Sequence, residues 1–249
     1  PAARLEGWEV EGAGVPEGYP ERFCDDYAES KAWAERLVLD AAGEEGGMLT
    51  CAVAPHVLYG PGDALFVPGF LNAARCGVLR VMGDGENVKD FTHVDNFCHA
   101  MMLAGDRMEE GQKAVGNTYW VTDGQPRRIW HAMDEAAVGM CYESILAKTL
   151  VPRWVAMVLA YFLAVVGWLL GLSFKLSPAT ADILMSNTYF DIRATETDLG
   201  YQPVVCFEDG WRDTISWFKE NQEQWVGSAV SLVMNVPPRT RKATGKYVD

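Results

Sequence analysis

A chain of 249 residues in which 49% of side chains are hydrophobic can bury one sizeable core and a smaller appended lobe. Its formal charge of −13 excludes a nucleic-acid partner, because phosphate binding demands clustered Lys and Arg, and the one basic cluster (Arg239, Arg241, Lys242, Lys246) sits in the C-terminal tail. Six cysteines (Cys24, Cys51, Cys76, Cys98, Cys141, Cys206) show neither CxxC nor Cys/His ligand spacing, which predicts reduced, buried, cytosol-facing thiols and no metal site.

Residues 1–23, rich in Gly, Pro and Glu, read as a loop, and Pro1 is no initiator methionine, so the start is read as internal or processed. From Asp25 to about Ala42 the pattern is helical: Asp25 or Asp26 can cap, Trp33, Leu37 and Val38 recur at helical spacing, and Gly43 stops it. Leu49 to Val53 reads as a buried strand, and the Gly/Pro density of Pro55-His56-Val57-Leu58-Tyr59-Gly60-Pro61-Gly62-Asp63 forces a loop. A helix is predicted over Phe66–Cys76, then a strand at Leu79–Met82 and a turn at Gly83-Asp84-Gly85. Asp90–Asp95 reads as a short strand entering a helix capped by Asp95 or Asn96. Asn117–Val121 alternates as a strand, Asp123-Gly124 gives a turn, and Ile129–Met140 is helical.

Trp154–Phe174 then runs 21 residues without a charge between Arg153 and Lys175. That length suffices to cross a hydrocarbon layer of roughly 30 Å, and the same pattern suits a hydrophobic helix pair packed on the core. Asn187–Gly200 is of mixed polarity, Glu208–Gln222 forms an amphipathic helix with Trp211, Ile215 and Phe218, and the chain beyond Pro237-Pro238 is predicted to be disordered. The mixture of helices and strands indicates an α/β class.

Tyr27 and Lys31 are four residues apart, which places both on one helix face, one turn from each other. An ammonium beside a phenol favours the phenolate and equips it as a general base. The alternative is a Tyr and a Lys on a solvated helix face, and the pentapeptide alone does not choose between them.

The wider order does choose. Tyr-x-x-x-Lys on a helix is followed by a strand, by Pro55-His56-Val57-Leu58-Tyr59-Gly60-Pro61-Gly62-Asp63, by Gly83-Asp84-Gly85-Glu86-Asn87 and by Asp90-Phe91-Thr92-His93-Val94-Asp95-Asn96. Asn117-Thr118-Tyr119-Trp120-Val121-Thr122-Asp123 and Asp198-Leu199-Gly200-Tyr201-Gln202-Pro203-Val204 complete the series. From about residue 5 to 222 the sequence resembles the extended short-chain dehydrogenases. Within them it resembles the 3β-hydroxysteroid dehydrogenase/isomerase family, most closely its branch that oxidises and decarboxylates sterol-4α-carboxylates.

The resemblance implies an incomplete Rossmann-like fold with a mostly helical C-terminal substrate lobe. Residues 1–125 would be the C-terminal half of the dinucleotide-binding domain, 126–226 a substrate or membrane-associated lobe and 227–249 a disordered tail. Tyr27 would be the catalytic acid/base. Lys31 would support it and hold the nicotinamide ribose of NAD or NADP, and Pro55, His56 and Val57 would lie against the nicotinamide. His56, His93, the Gly83–Asn87 turn and the Asp90–Asn96 stretch would be mainly architectural. The implied partners are a sterol or steroid and, through residues 154–174, the endoplasmic reticulum membrane with the catalytic part facing the cytosol. A homodimer is among the implied assemblies.

Three departures accompany the likeness. The Gly-x-x-Gly-x-x-Gly turn that receives a pyrophosphate is nowhere in the chain. The family's Ser or Thr some two dozen residues before the tyrosine would fall near Ala2 or before it, and Ala54 stands where relatives carry Arg. The economical expectation is a piece of a longer enzyme, which by itself binds a dinucleotide poorly. The rivals are a 3β-hydroxy-Δ5-steroid dehydrogenase/isomerase, a nucleotide-sugar epimerase or reductase (which has no use for the apolar stretch), and a non-catalytic membrane-associated protein retaining the fold.

Overall fold

The computed structural model describes residues 23, 26–42, 47–172 and 174–226. The loop expected over residues 1–23 (apart from Phe23), the tail with its basic cluster, Cys24 and the Asp25 cap lie outside the described residues.

Helix α1 (Asp26–Ala42) lies against a parallel pair of strands, β1 (Ala52–Pro55) and β5 (Thr118–Val121), which run in register from Ala52 opposite Thr118 to Pro55 opposite Val121. Helix α3 (Val94–Asp106) belongs to the crossover between them, as a parallel connection requires. A second parallel pair joins β2 (Leu58–Tyr59) to β4 (Thr92–His93), and an antiparallel pair joins β3 (Val88–Lys89) to β6 (Arg127–Arg128). Helices α2 (Phe66–Arg75) and α4 (Ile129–Gly139) pack over these segments.

The chain then forms α5 (Arg153–Leu170), α6 (Pro178–Met185), one π-helical turn (Thr195–Leu199), α7 (Phe207–Glu220) and the short α8 (Gln222–Trp225). The main core gathers Tyr59, Leu71, Phe91, Trp130, Phe207, Trp211 and Phe218. Each such side chain stabilises the fold by roughly 1.5–3 kcal/mol through removal of apolar surface from water. Helix α7 is drawn in closely: a Cβ at Gly210 would meet the His93 ring at 2.7 Å and the Tyr59 hydroxyl at 3.0 Å.

Several expectations need correction. The strand expected over Leu49–Val53 begins at Ala52 and runs into Pro55, because Thr50 bonds instead to the helix at the Val38 carbonyl. The loop over Pro55–Asp63 contains β2, which two residues of pairing to Thr92 and His93 suffice to form. Leu79–Met82 is not a strand; only Met82 bridges, to Val151. His93, not Asp95 or Asn96, caps α3, its Nδ1 accepting from Asp95 N at 3.3 Å. Trp33, Leu37 and Val38 are exposed, because α1 meets the strands through the slim Ala32 and through Glu35. The five described cysteines are free thiols, yet Cys98, Cys141 and Cys206 are exposed rather than buried.

The GPGD turn has a clear local purpose. Asp63 accepts from the amides of Leu65 (2.7 Å), Phe66 (3.2 Å) and Val67 (2.7 Å), satisfying donors that the first turn of α2 leaves open.

Candidate active site

The direction of α1 against the strands follows from three contacts. Thr118 Oγ1, at the start of β5, donates to Glu35 at 2.6 Å. Thr50 Oγ1, just before β1, donates to the Val38 carbonyl at 2.6 Å. A Cβ at Gly116 would stand 3.8 Å from that of Ala42. The C-terminal half of α1 thus lies over the strand N-termini. Tyr27, eight residues before Glu35 and so about 12 Å back along the axis, reaches the other end, where the strands stop at Pro55 and Val121. Ligands of open α/β sheets sit at that carboxyl end.

Tyr27 is 69% exposed and Lys31 is exposed beside it, with Nζ 5.7 Å from the Tyr27 ring centroid, so the two share one face as their spacing requires. The phenol is open to solvent.

That loop is strained and heavily braced. Val57 has φ +40°, a left-handed conformation that a β-branched residue adopts only when its surroundings enforce it, at a cost of order 1–3 kcal/mol. The enforcement comes from Thr92. Its Oγ1 accepts from His56 N at 3.1 Å and lies 2.8 Å from both the His56 and Val121 carbonyls, to one of which it gives its single proton; its own amide donates to the Val57 carbonyl at 3.3 Å. Thr92 thereby ties the loop to the end of β5.

His56 is partly buried, its ring 5.0 Å edge-on from Phe190, which in turn stacks on Trp120 at 3.7 Å. Its Nε2 has no hydrogen-bond partner among the described residues. Burial, with the Lys89 charge adding to it, pulls its pKa down to about 3, so the ring is neutral at physiological pH.

The Asp123-Gly124 turn carries a buried hub as well. Asp123 accepts from Tyr59 Oη (2.9 Å), His93 N (2.8 Å) and Asn96 Nδ2 (2.7 Å). Burial raises its pKa, and the three donors oppose that rise. Asn96 uses its remaining capacity on the Val204 and Val205 amides (2.8 and 2.9 Å) and the Val205 carbonyl (2.7 Å), locking the segment before α7 to α3. His93 is 3% exposed and edge-on to Tyr59 at 5.3 Å between ring centroids. The Asp90–Asn96 stretch therefore braces the site.

Two further buried ionisable residues were missed. Lys89, 2% exposed, donates from Nζ to Thr188 Oγ1 at 3.0 Å, and burial holds its pKa down to about 8, with Asp182 acting in the opposite direction. Asp90 accepts from Phe190 N at 2.6 Å, and burial pushes its carboxyl up to about 6. The return of residues 188–190 across Lys89 and Asp90 buries the pair. Among the described residues no three His, Cys, Asp or Glu side chains gather into a metal-binding group.

The exposed Tyr27 hydroxyl and Lys31 ammonium have the donor chemistry that a nicotinamide ribose would accept, whereas the described residues contain no Gly-x-x-Gly-x-x-Gly turn to take a pyrophosphate.

Comparison with known proteins gives the family and the fold. The sequence model of the 3-beta hydroxysteroid dehydrogenase/isomerase family matches residues 10–140. The chain is 36% identical over 215 residues to the 3beta-hydroxysteroid-dehydrogenase/decarboxylase isoform 1 of Arabidopsis thaliana, covering 83% of this chain and 48% of that protein. It is 30% identical over 220 residues to the human decarboxylating sterol-4-alpha-carboxylate 3-dehydrogenase, covering 86% of this chain and 58% of that one. The chain thus spans about half the length of these curated relatives. Among solved structures it resembles an NAD complex of dTDP-glucose 4,6-dehydratase from Bacillus anthracis (TM-score 0.58, 18% identity, 89% of this chain and 60% of that one). It also resembles RMD from Pseudomonas aeruginosa complexed with NADPH (TM-score 0.53, 18% identity, 83% and 60%). At such identities the structures establish the fold: an α/β fold of the extended short-chain dehydrogenase kind.

Proposed function

Because this chain belongs to the 3-beta hydroxysteroid dehydrogenase/isomerase family, we propose that it provides the catalytic helix and substrate lobe of an NAD(P)-dependent dehydrogenase acting on the 3β-hydroxyl of a sterol that carries a 4α-carboxylate. What supports this reading is the Tyr27–Lys31 pair, one turn apart and exposed on α1, a helix whose axis runs from the N-termini of β1 and β5 toward the end that carries the strained Pro55–Val57 loop. Tyr27 takes the proton of the 3β-hydroxyl, and Lys31 supports the phenolate and donates to the ribose. The backbone of Pro55, His56 and Val57 meets the carboxamide. Bound NAD(P) supplies the hydride acceptor.

Oxidation at carbon 3 converts a 4α-carboxylate into a β-keto acid, which loses carbon dioxide with little further assistance. A sterol is poorly soluble, and α5 supports its capture from a membrane: the helix is apolar, 18 residues long and only 17% buried. The endoplasmic reticulum, with the catalytic part on the cytosolic side, fits sterol chemistry and the free thiols.

The test is a dehydrogenase assay of the full-length gene product on 4α-carboxysterols. Tyr27→Phe should lower kcat by 10²–10⁴-fold, the usual weight of a positioned acid/base, with its melting temperature unchanged because the phenol is exposed. Unaltered turnover in that variant removes Tyr27 from the reaction.

A further inference from the structure

Helix α5 is about 27 Å long at 1.5 Å per residue, close to the hydrocarbon thickness, so length alone reads as a span. Its two flanks say otherwise. Before α5, Val151 donates to the Val81 carbonyl and accepts from Gly83 N, both at 2.9 Å. After α6, Thr188 donates to the Val88 carbonyl at 2.9 Å and accepts from Asp90 N at 3.0 Å. Both ends of the α5–α6 unit are thus tied to the segment 81–90. Further on, α7 is part of the main core: Trp211 Nε1 donates to the Ala132 carbonyl at 3.1 Å, and Gly210 abuts His93 and Tyr59. A spanning α5 would separate residues 176–226 from the half of the core they complete.

The helix itself is built as one arm of a hairpin. Ala156, Ala160 and Gly167 form its buried stripe. The first two pack on Ala181 and Met185 of α6, and Arg153 pairs with Asp182. Gly171, in the left-handed conformation, ends the helix, and Phe174 folds back to within 3.3 Å of a Cβ built on Gly167. The remainder is apolar and open: Trp154, Val158, Tyr161, Phe162, Val165 and Trp168 are 56–82% exposed. Towards the tip, Trp168, Leu169 and Leu170 are exposed together at 82%, 66% and 64%. From residue 154 to residue 172 there is no charged side chain, and Arg153 and Lys175 bracket the segment.

We infer that α5–α6 is a monotopic hairpin that enters one leaflet of a lipid membrane by its Trp168–Leu172 tip and leaves by the same face. Lipid, rather than a protein, is the occupant. The uncharged surface covers the tip on every side except Gly167's, where a protein partner would require a single complementary face. Trp154, an aromatic residue with a polar edge, stands exposed at the base of the hairpin next to Arg153, as at an interface. The inference rests on the lipid-facing reading of α5 given above and adds its topology.

The experiment uses the full-length protein in sealed microsomes, cytosolic face outward, with the native cysteines replaced by serine. Thr149→Cys, before the hairpin, and Lys219→Cys, after it, are both at exposed positions. A membrane-impermeant maleimide added outside should label both to within twofold without detergent. Labelling of Lys219→Cys only after detergent would mean a span and overturn the hairpin. Separately, Trp168→Glu/Leu169→Glu, also at exposed positions, should move the protein from membrane to soluble fraction at least tenfold with an unchanged melting temperature. Continued sedimentation with membranes would refute the lipid reading itself. A discrete dimer in membrane-free buffer that the same double variant dissolves would assign the face to a second copy and likewise overturn the proposal.

Discussion

Thr92 grips His56 at both ends of its backbone, with Oγ1 accepting from the amide at 3.1 Å and standing 2.8 Å from the carbonyl oxygen. The next residue, Val57, carries the positive φ. Strain at Val57 and bracing by Thr92 are two parts of one arrangement, since an unfavourable conformation persists only where neighbours over-determine it.

Removing the brace should release the strain. Thr92→Val deletes the hydroxyl while keeping the shape, and leaves the His56 amide without its partner. We expect a stability loss of about 2 kcal/mol in urea denaturation. In the full-length enzyme we also expect a KM for NAD(P) raised several-fold with kcat changed less. Thr92→Ser should restore most of both. An unstrained loop would show no such rescue.

Asp123 joins Tyr59, His93 and Asn96 in one buried cluster. Asp123→Ala strands three donors at once, and buried unsatisfied groups are costly, so a loss of about 3–5 kcal/mol is expected. Tyr59→Phe, which removes one donor and leaves the carboxylate its other two, should cost about 1 kcal/mol. Chemical denaturation separates the two, and equal costs would show that the cluster is not organised around the carboxylate.

The pH dependence has two opposing contributions. His56 has its folded pKa depressed to about 3 from 6.5, so its neutral form is favoured; that stability is full above pH 6.5 and lost as pH falls. Asp90 has its folded pKa raised to about 6 from 3.8, so its protonated form is favoured; that stability is full below pH 3.8 and lost as pH rises through 6. Relative to His56→Leu, the wild type should lose up to about 3 kcal/mol between pH 6.5 and 4. Relative to Asp90→Asn, it should lose up to about 3 kcal/mol between pH 4 and 7. Denaturant melts across this range read both slopes, and a common sign for the two would contradict the assignment.

Gly210→Ala places a methyl where the His93 ring stands 2.7 Å away and the Tyr59 hydroxyl 3.0 Å away. Both belong to buried residues with little room to yield. Overpacking of this kind costs about 1–3 kcal/mol, and the thermal midpoint should fall accordingly. Gly69→Ala, in α2 with nothing within 4 Å of the new atom, is the matched control and should be neutral or slightly stabilising.

Local grammar alone determined much of this molecule. The spacing of Tyr27 and Lys31, the Asp-Gly turn before β6, the start of α2 after Asp63 and the amphipathic pattern of α7 are short-range properties, set by helical periodicity, backbone freedom at glycine and the hydrogen bonds of adjacent residues. The order of its motifs carried the family. What the linear order did not carry were contacts between distant segments. Asp123 reads as a turn residue until Tyr59, 64 positions earlier, is folded onto it. The burial of Lys89 and Asp90 follows only from the return of residues 188–190 across them. Trp33 and Leu37 recur at helical spacing yet are exposed, because α1 docks through Ala32 and Glu35. The uncharged run of α5 has the length of a span, and only the hydrogen bonds of Val151 and Thr188 tie both ends of the α5–α6 unit to the segment 81–90. Burial and topology are pairwise quantities; composition and period constrain them, and the tertiary contacts decide them.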